Sequence, residues 1–135
     1  MRVHYGLDPL RFLDPGDQPE EGYAHFLRHQ LRADDQAVFV AERDEVVVGY
    51  VYAGVEPLSW KELRDRAGFI HDVVVLDDQR RGGVATALMT AAIDWLGTQN
   101  VPRVVLWTEH KNVAGQALFE RLGFRRTMVE MTKEL

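Results

Sequence analysis

Phe69-Ile70-His71-Asp72-Val73-Val74-Val75-Leu76-Asp77-Asp78-Gln79-Arg80-Arg81-Gly82-Gly83-Val84-Ala85-Thr86 is the stretch whose reading decides the fold. Phe69 to Leu76 reads as a strand built on the run Val73-Val74-Val75. Asp77-Asp78-Gln79 leads away from it. Val84 to about Leu96 then reads as a helix, with Val84, Leu88, Ala92 and Trp95 stepping by three or four and Gly97 as its stop. Pro102 precedes another strand, Arg103 to Thr108. Strand, helix and strand in that order form a crossover that favours parallel pairing. The turn in the middle suits an anion. A helix start exposes unpaired N–H groups and a partial positive charge, so an anion there meets several donors at once. Gly82 and Gly83 lack a Cβ and Ala85 is small, which lets a phosphate approach the backbone, while Arg80 and Arg81 add positive charge. A solvated loop with two exposed arginines is the plain alternative. There is no Gly-x-x-x-x-Gly-Lys-Ser/Thr run, and no Gly-x-Gly-x-x-Gly follows the strand, which disfavours a P-loop or dinucleotide site.

Working outward, Ala37–Glu42 and Val46–Val55 read as a hairpin about the turn Arg43-Asp44-Glu45. Pro57 breaks the sheet, and Ser59 with Glu62 three residues on matches the capping box of a short helix through Asp65. Upstream, Tyr23, Phe26, Leu27 and Leu31 fit a helix from Glu20 to about Ala33, preceded by a poorly patterned arm. Downstream, Asn112 caps a helix from Val113 to Leu122, Gly123 ends it, and Phe124 to Leu135 closes the chain as a strand. The expected architecture is one α/β domain over residues 1–135, with 1–19 a loose arm or an atypical first strand. Its sheet is mixed and mostly antiparallel, with a splayed parallel strand pair and helices on both faces.

A length of 135 residues suits one domain with a real core, and 46% hydrophobic residues argue against global disorder. The absence of cysteine excludes disulfides, thiol nucleophiles and thiolate zinc sites. A net charge of −5 argues against general nucleic-acid binding. No apolar run reaches the length of a membrane span, and Met1–Leu13 lacks a signal peptide's apolar stretch, so a soluble cytoplasmic protein is the expectation. His25 and His29 share a helix face without a third ligand or a His-Glu-x-x-His motif, so no metal is expected, and His110 reads as a loop residue.

The turn and its setting resemble the GNAT superfamily of N-acetyltransferases. The family signature is Arg or Gln, two residues, Gly, one residue, then Gly or Ala, after a strand. Arg80, Gly83 and Ala85 match it. A second family feature is an Asn that opens a helix ending in Leu-Gly-Phe, here Asn112 to Leu122-Gly123-Phe124. The resemblance covers roughly residues 37–135. It implies acetyl-CoA as co-substrate, its pantetheine arm lying where the two parallel strands splay and bonding the backbone of Val73 and Val75. It places the pyrophosphate on N–H groups from Arg81 through Gly82, Gly83, Val84 and Ala85 to Thr86, a thioester-polarising N–H near Val74, and Asn112 by the arm or diphosphate. Phe119 is counted among the cofactor-binding positions. Many members carry there a Tyr that protonates the leaving thiolate, which Phe cannot do.

The resemblance implies attack by an amine on a thioester, which needs a base. His71, on the cleft strand, leads, since its imidazole titrates near neutral pH. A hydrogen-bonded structural histidine is the alternative. Asp72 is expected on the opposite strand face, and Glu109, ending the other cleft strand, is a further candidate. Tyr50 and Tyr52 replace the missing acid if they face the cleft. Trp60 is expected either over the acceptor or packed onto the sheet, with Tyr52, Met128 and Glu130 on the substrate wall. The expected function is acetyl transfer to an amine of a small molecule, peptide or protein, with no nucleic-acid or membrane partner. A homodimer through the edge of the last strand is allowed for. The competing functions are a catalytically silent acyl-CoA sensor, which Phe119 favours, and an interaction domain without a nucleotide ligand.

Overall fold

The computed structural model describes residues 34–80 and 82–135. The arm, the helix expected from Glu20, His25, His29 and Arg81 lie outside the described residues. The chain falls into two compact units, Leu27–Trp107 and a second joining Met1–Phe26 with Thr108–Leu135.

In the first unit, strands β1 (Gln36–Arg43), β2 (Val46–Glu56), β3 (Ala67–Val75) and β4 (Val104–Leu106) form one sheet in the order β1-β2-β3-β4. β1–β2 and β2–β3 are antiparallel, and β3–β4 is parallel, so the expected mixed sheet with one parallel pair is present. Asp44 and Glu45 both take positive φ in the β1–β2 turn, the twist that two-residue hairpin loops require. Helix α1 (Val84–Gly97) makes the crossover and buries Val84, Leu88, Met89, Ala92 and Leu96. Leu96, rather than the expected Trp95, completes the buried stripe, and Trp95 instead meets Phe39 edge-on at 6.5 Å. The guanidinium of Arg66 donates to the carbonyls of Gln99 and Asn100 and ties down the chain after α1.

Two sheet glycines admit the helix. A Cβ on Gly49 would lie 2.7 Å from the Val74 carbonyl oxygen and 3.2 Å from a Leu88 methyl, and one on Gly68 would lie 3.0 Å from Leu96. Residues facing α1 are therefore Gly49, Val51 and Gly68, and Tyr50 and Tyr52 face the other way.

The short helix expected at Ser59 is a turn. Ser59 and Arg64 exchange two backbone bonds of 2.8 and 3.0 Å, and Leu63 takes positive φ. The Ser59 hydroxyl still accepts from the Glu62 N–H at 3.1 Å, but four residues between bridging ends leave no room for helical propagation.

In the second unit, helix α2 (Val113–Arg121) begins where expected, with Asn112 Oδ1 accepting from the Gly115 N–H at 3.1 Å. Its end explains the Leu-Gly-Phe ending. Phe124 N–H donates to the Phe119 carbonyl and Gly123 N–H to the Glu120 carbonyl, with Gly123 at φ 95°. The Phe119 and Phe124 rings meet at 6.1 Å, the apolar contact that accompanies this cap. The final strand is a correction. Phe124–Leu135 carries no strand, because strand geometry needs a ladder partner and no described residue supplies one. Met128 is exposed there. No helix among the described residues is long and apolar enough to cross a membrane.

The close contact at Gly49 predicts that Gly49→Ala destabilises the fold by about 1–3 kcal/mol. Thermal unfolding by circular dichroism reads this as a lowered Tm, and an unchanged Tm would contradict the packing of α1 on β2.

Candidate functional site

β3 organises the site because it contains one extra residue. Asp72 pairs with Tyr52 and Ile70 with Ala53, which leaves His71 without a partner on β2. This bulge shifts the strand's alternation by one. Before it, Gly68 N–H donates toward β4, to the Arg103 carbonyl at 2.9 Å; after it, Leu76 N–H donates toward β2, to Val48 at 2.9 Å. Counting back by twos from Leu76, Val74 and Asp72 turn their backbone groups to β2, and Val73 and Val75 turn theirs to the β4 side. The β4 pairing stops at Ile70–Leu106. The N–H and C=O of Val73 and Val75 therefore face an edge with no ladder partner among the described residues. Val74, expected to offer an N–H to a thioester, is turned into the β2 ladder instead.

At the C-terminal end of β3 the chain passes through a 3-10 turn, Asp77–Gln79, to Gly83 at φ 82°, the residue before α1. The first bond of the helix is Ala87 N–H to the Gly83 carbonyl, and no side chain caps its start. The N–H groups of Val84, Ala85 and Thr86 are thus unsatisfied among the described residues, as an anion cradle requires. Arg80 pairs with Asp77 at 2.9 Å, so its charge is partly offset within the turn.

The bulge also turns His71 and Asp72 to one face, correcting the expectation that they diverge. Tyr50 OH donates to Asp72 Oδ2 at 2.8 Å, and the His71 ring lies 4.8 Å from Tyr52, on that same side of the sheet. Phe69 stacks on the other side of the cluster, 5.6 Å from His71 with planes 15° apart. His71 Nε2 meets Glu56 Oε1 at 3.0 Å. An ionised carboxylate only accepts, so Nε2 carries the proton and a neutral ring keeps Nδ1 as its acceptor. Burial pushes the His71 pKa below its usual 6.5, against the opposing pull of Glu56 and Asp72. Tyr52 OH donates to Gln36 Oε1 at 2.9 Å, and burial foremost raises its pKa, which makes it a poor replacement acid. A cavity of about 280 Å³ opens beside His71, lined also by Glu56, Glu62, Arg64, Phe69, Ile70 and Trp107. Arg64 sits over the Phe69 ring at 4.8 Å and pairs with Glu62 at 2.9 Å.

These two halves, an uncapped helix start beyond the end of a strand and a carboxylate-held histidine on that strand's face, agree with what the comparisons give. Residues 6–124 match the Acetyltransferase (GNAT) family. The chain belongs to that family. The N-alpha-acetyltransferase of Saccharolobus solfataricus is 31% identical over 119 residues, 82% of this chain and 70% of its own length. The mycothiol acetyltransferase of Streptomyces griseus subsp. griseus is 29% identical over 98 residues, 73% of this chain; the chain spans only 30% of that relative's length. A solved aminoglycoside N-acetyltransferase in complex with CoA shares the fold, with a TM-score of 0.68 and 24% identity over 88% of this chain and 95% of its own. The expectation of an acetyltransferase is met at the level of the family.

The remaining expected site residues divide. Trp60 is 82% exposed and neither packs on the sheet nor lines the cavity beside His71. Trp107 occupies that wall, edge-on to Phe69 at 6.1 Å. In the second unit the Glu109 side chain, 5% exposed, is held by the Lys111 N–H and by His110 Nδ1 at 2.7 and 2.9 Å, so it shapes its own loop. Asn112 spends its side chain on the α2 cap and on Thr108. Phe119 is buried against Phe124. Glu130 lies in the strandless C-terminal segment. Among the described residues no group of three or more His, Asp or Glu is placed to hold a metal.

Glu56 is the residue that the sequence reading missed. Alternation from Tyr50 and Tyr52 places it on their face, and ending β2 at Val55 stopped one residue short. Its charge raises the His71 pKa. NMR titration is expected to place the His71 midpoint below 6.5 and to move it lower still in Glu56→Gln. An unchanged or raised midpoint in that variant would refute the pairing.

Proposed function

We propose that the chain is a single N-acyltransferase domain that moves an acetyl group from acetyl-CoA to a primary amine of a small molecule, peptide or protein, by direct attack within a ternary complex. The observation that supports this reading is that both features lie on one strand, β3. His71 faces the cavity, and two residues on, Val73 and Val75 turn backbone groups to an edge that has no ladder partner among the described residues. Two residues of strand span about 7 Å, so the base and the cofactor edge are neighbours by construction.

Val73 and Val75 would hold the pantetheine arm as an added strand, and the N–H groups of Val84, Ala85 and Thr86 would hold the pyrophosphate. The uncapped start of α1 and the glycine pair before it fit that group. Acetyl-CoA, when bound, supplies the activated acetyl thioester. His71 takes the proton that the amine loses, through Nδ1, while Glu56 fixes the ring and its tautomer. Arg64 offsets Glu62, so Glu56 is the carboxylate left to draw a cationic amine into the cavity, and Trp107 gives it an aromatic wall. With Phe at position 119, Tyr52 engaged by Gln36 and Tyr50 by Asp72, water is left to protonate the departing thiolate.

His71→Ala is expected to lower amine-dependent CoA release by about 100-fold or more and to leave the acetyl-CoA Kd within about twofold. The wild-type low-pH limb should have its inflection below 6.5, the side to which burial moves His71. Above that pH the ring is neutral and competent; below it the protonated ring is inactive. A full rate in His71→Ala would overturn the assignment of the base. Phe119 favours a second reading, an acyl-CoA sensor without chemistry. It is the answer if no amine in a broad panel releases CoA above background while acetyl-CoA still binds.

A further inference from the structure

Arg43 ends β1, 36 residues before Gln79 in the chain, yet its guanidinium reaches the turn that opens α1. Nη1 donates to the Gln79 side-chain oxygen at 2.7 Å. A Cβ built on Gly82 would lie 3.3 Å from Nη2 and 3.5 Å from Nη1, so the fork rests where any larger residue at position 82 would project. Gln79 is neutral, and among the described residues no carboxylate pairs with Arg43. Arg80, in the same turn, is instead paired with Asp77. Of the turn's two acids, Asp77 is offset by Arg80, and Asp78 opposes an incoming anion.

We infer that Arg43 is a phosphate ligand for the nucleotide end of acetyl-CoA, delivered to the α1 turn from the far end of the hairpin. The inference rests on the cofactor reading above but adds a side chain outside the family signature. A phosphate seated on the N–H groups at the start of α1, uncapped among the described residues, comes beside Gly82, and the guanidinium against Gly82 retains Nη2 donors for its oxygens. A guanidinium offers paired donors in a fixed plane, which suits phosphate better than an ammonium does. Gln79 acts as the strut: it holds Nη1 and leaves the charge unneutralised. Arg43 thereby favours phosphorylated CoA over truncated thioesters.

The test measures binding by the whole chain. Calorimetry gives the affinity for acetyl-CoA and for 3′-dephospho-acetyl-CoA, and NMR titration gives that for S-acetylpantetheine, which has no phosphate. Arg43→Ala is expected to weaken acetyl-CoA about tenfold, as loss of one charge-assisted contact does, and to leave S-acetylpantetheine unchanged. Arg43→Lys should recover part of the loss. A loss that persists with the dephospho form assigns the contact to the diphosphate, and one that vanishes there assigns it to the 3′-phosphate. Equal acetyl-CoA affinity in wild type and Arg43→Ala would overturn the inference and leave the cofactor reading standing. Equal losses for acetyl-CoA and S-acetylpantetheine would also overturn it, since Arg43 would then act through the fold. A wild-type chain that binds no acetyl-CoA would overturn both.

Discussion

The extra residue in β3 is the constraint on which the site depends. A strand paired on both sides offers no backbone groups to a ligand, and a regular strand sends neighbouring side chains to opposite faces. The bulge at His71 changes both properties at one point. It shifts the ladder so that Val73 and Val75 turn to the edge where β4 has ended, and it turns His71 and Asp72 to one face. Without it, the residues with open backbone groups would be those now bonded to β2. Bulges beside active sites commonly re-aim side chains. Here the bulge re-aims a histidine and the backbone edge next to it together.

Glu56 completes the arrangement from the neighbouring strand. A half-buried imidazole flanked by Tyr52 and Phe69 resists protonation, and a carboxylate on Nε2 resists the loss of orientation that would follow if the ring turned. The two influences oppose each other in pKa, and burial prevails. The ring is thus neutral at physiological pH with one nitrogen committed to Glu56. The arginines divide along similar lines. Arg80 is balanced by Asp77 within its own turn, and Arg64 by Glu62 at the cavity, while among the described residues Arg43 meets a neutral amide and no carboxylate.

Much of this was legible in the sequence where local chemistry decides structure. The valine run, the glycine pair and the spacing of Val84, Leu88 and Ala92 gave the strand, turn and helix. Asn112 and Gly123 gave both ends of α2, and the structure shows why Leu-Gly-Phe recurs there: it is a helix cap whose apolar contact joins Phe119 to Phe124. What was not legible depends on partners far along the chain. A bulge is a mismatch between two strands, and nothing within Phe69–Leu76 marks His71 as the unpaired residue. The Glu56 contact follows from that register, and so does the loss of Val74 as a free donor. Trp60 does not pack on the sheet because a closed turn at Ser59–Arg64 replaces the helix that would have packed it. The last strand is not formed because no described residue offers Phe124–Leu135 a ladder to join.

Residue-resolved amide hydrogen exchange, with and without acetyl-CoA, tests the bulge account most directly. Bound acetyl-CoA should slow exchange at Val73 and Val75 and at Val84, Ala85 and Thr86, and leave Val74, already bonded within the sheet, unchanged. Protection that appears at Val74 and not at its two neighbours, or no protection along β3 when acetyl-CoA is bound, would contradict it.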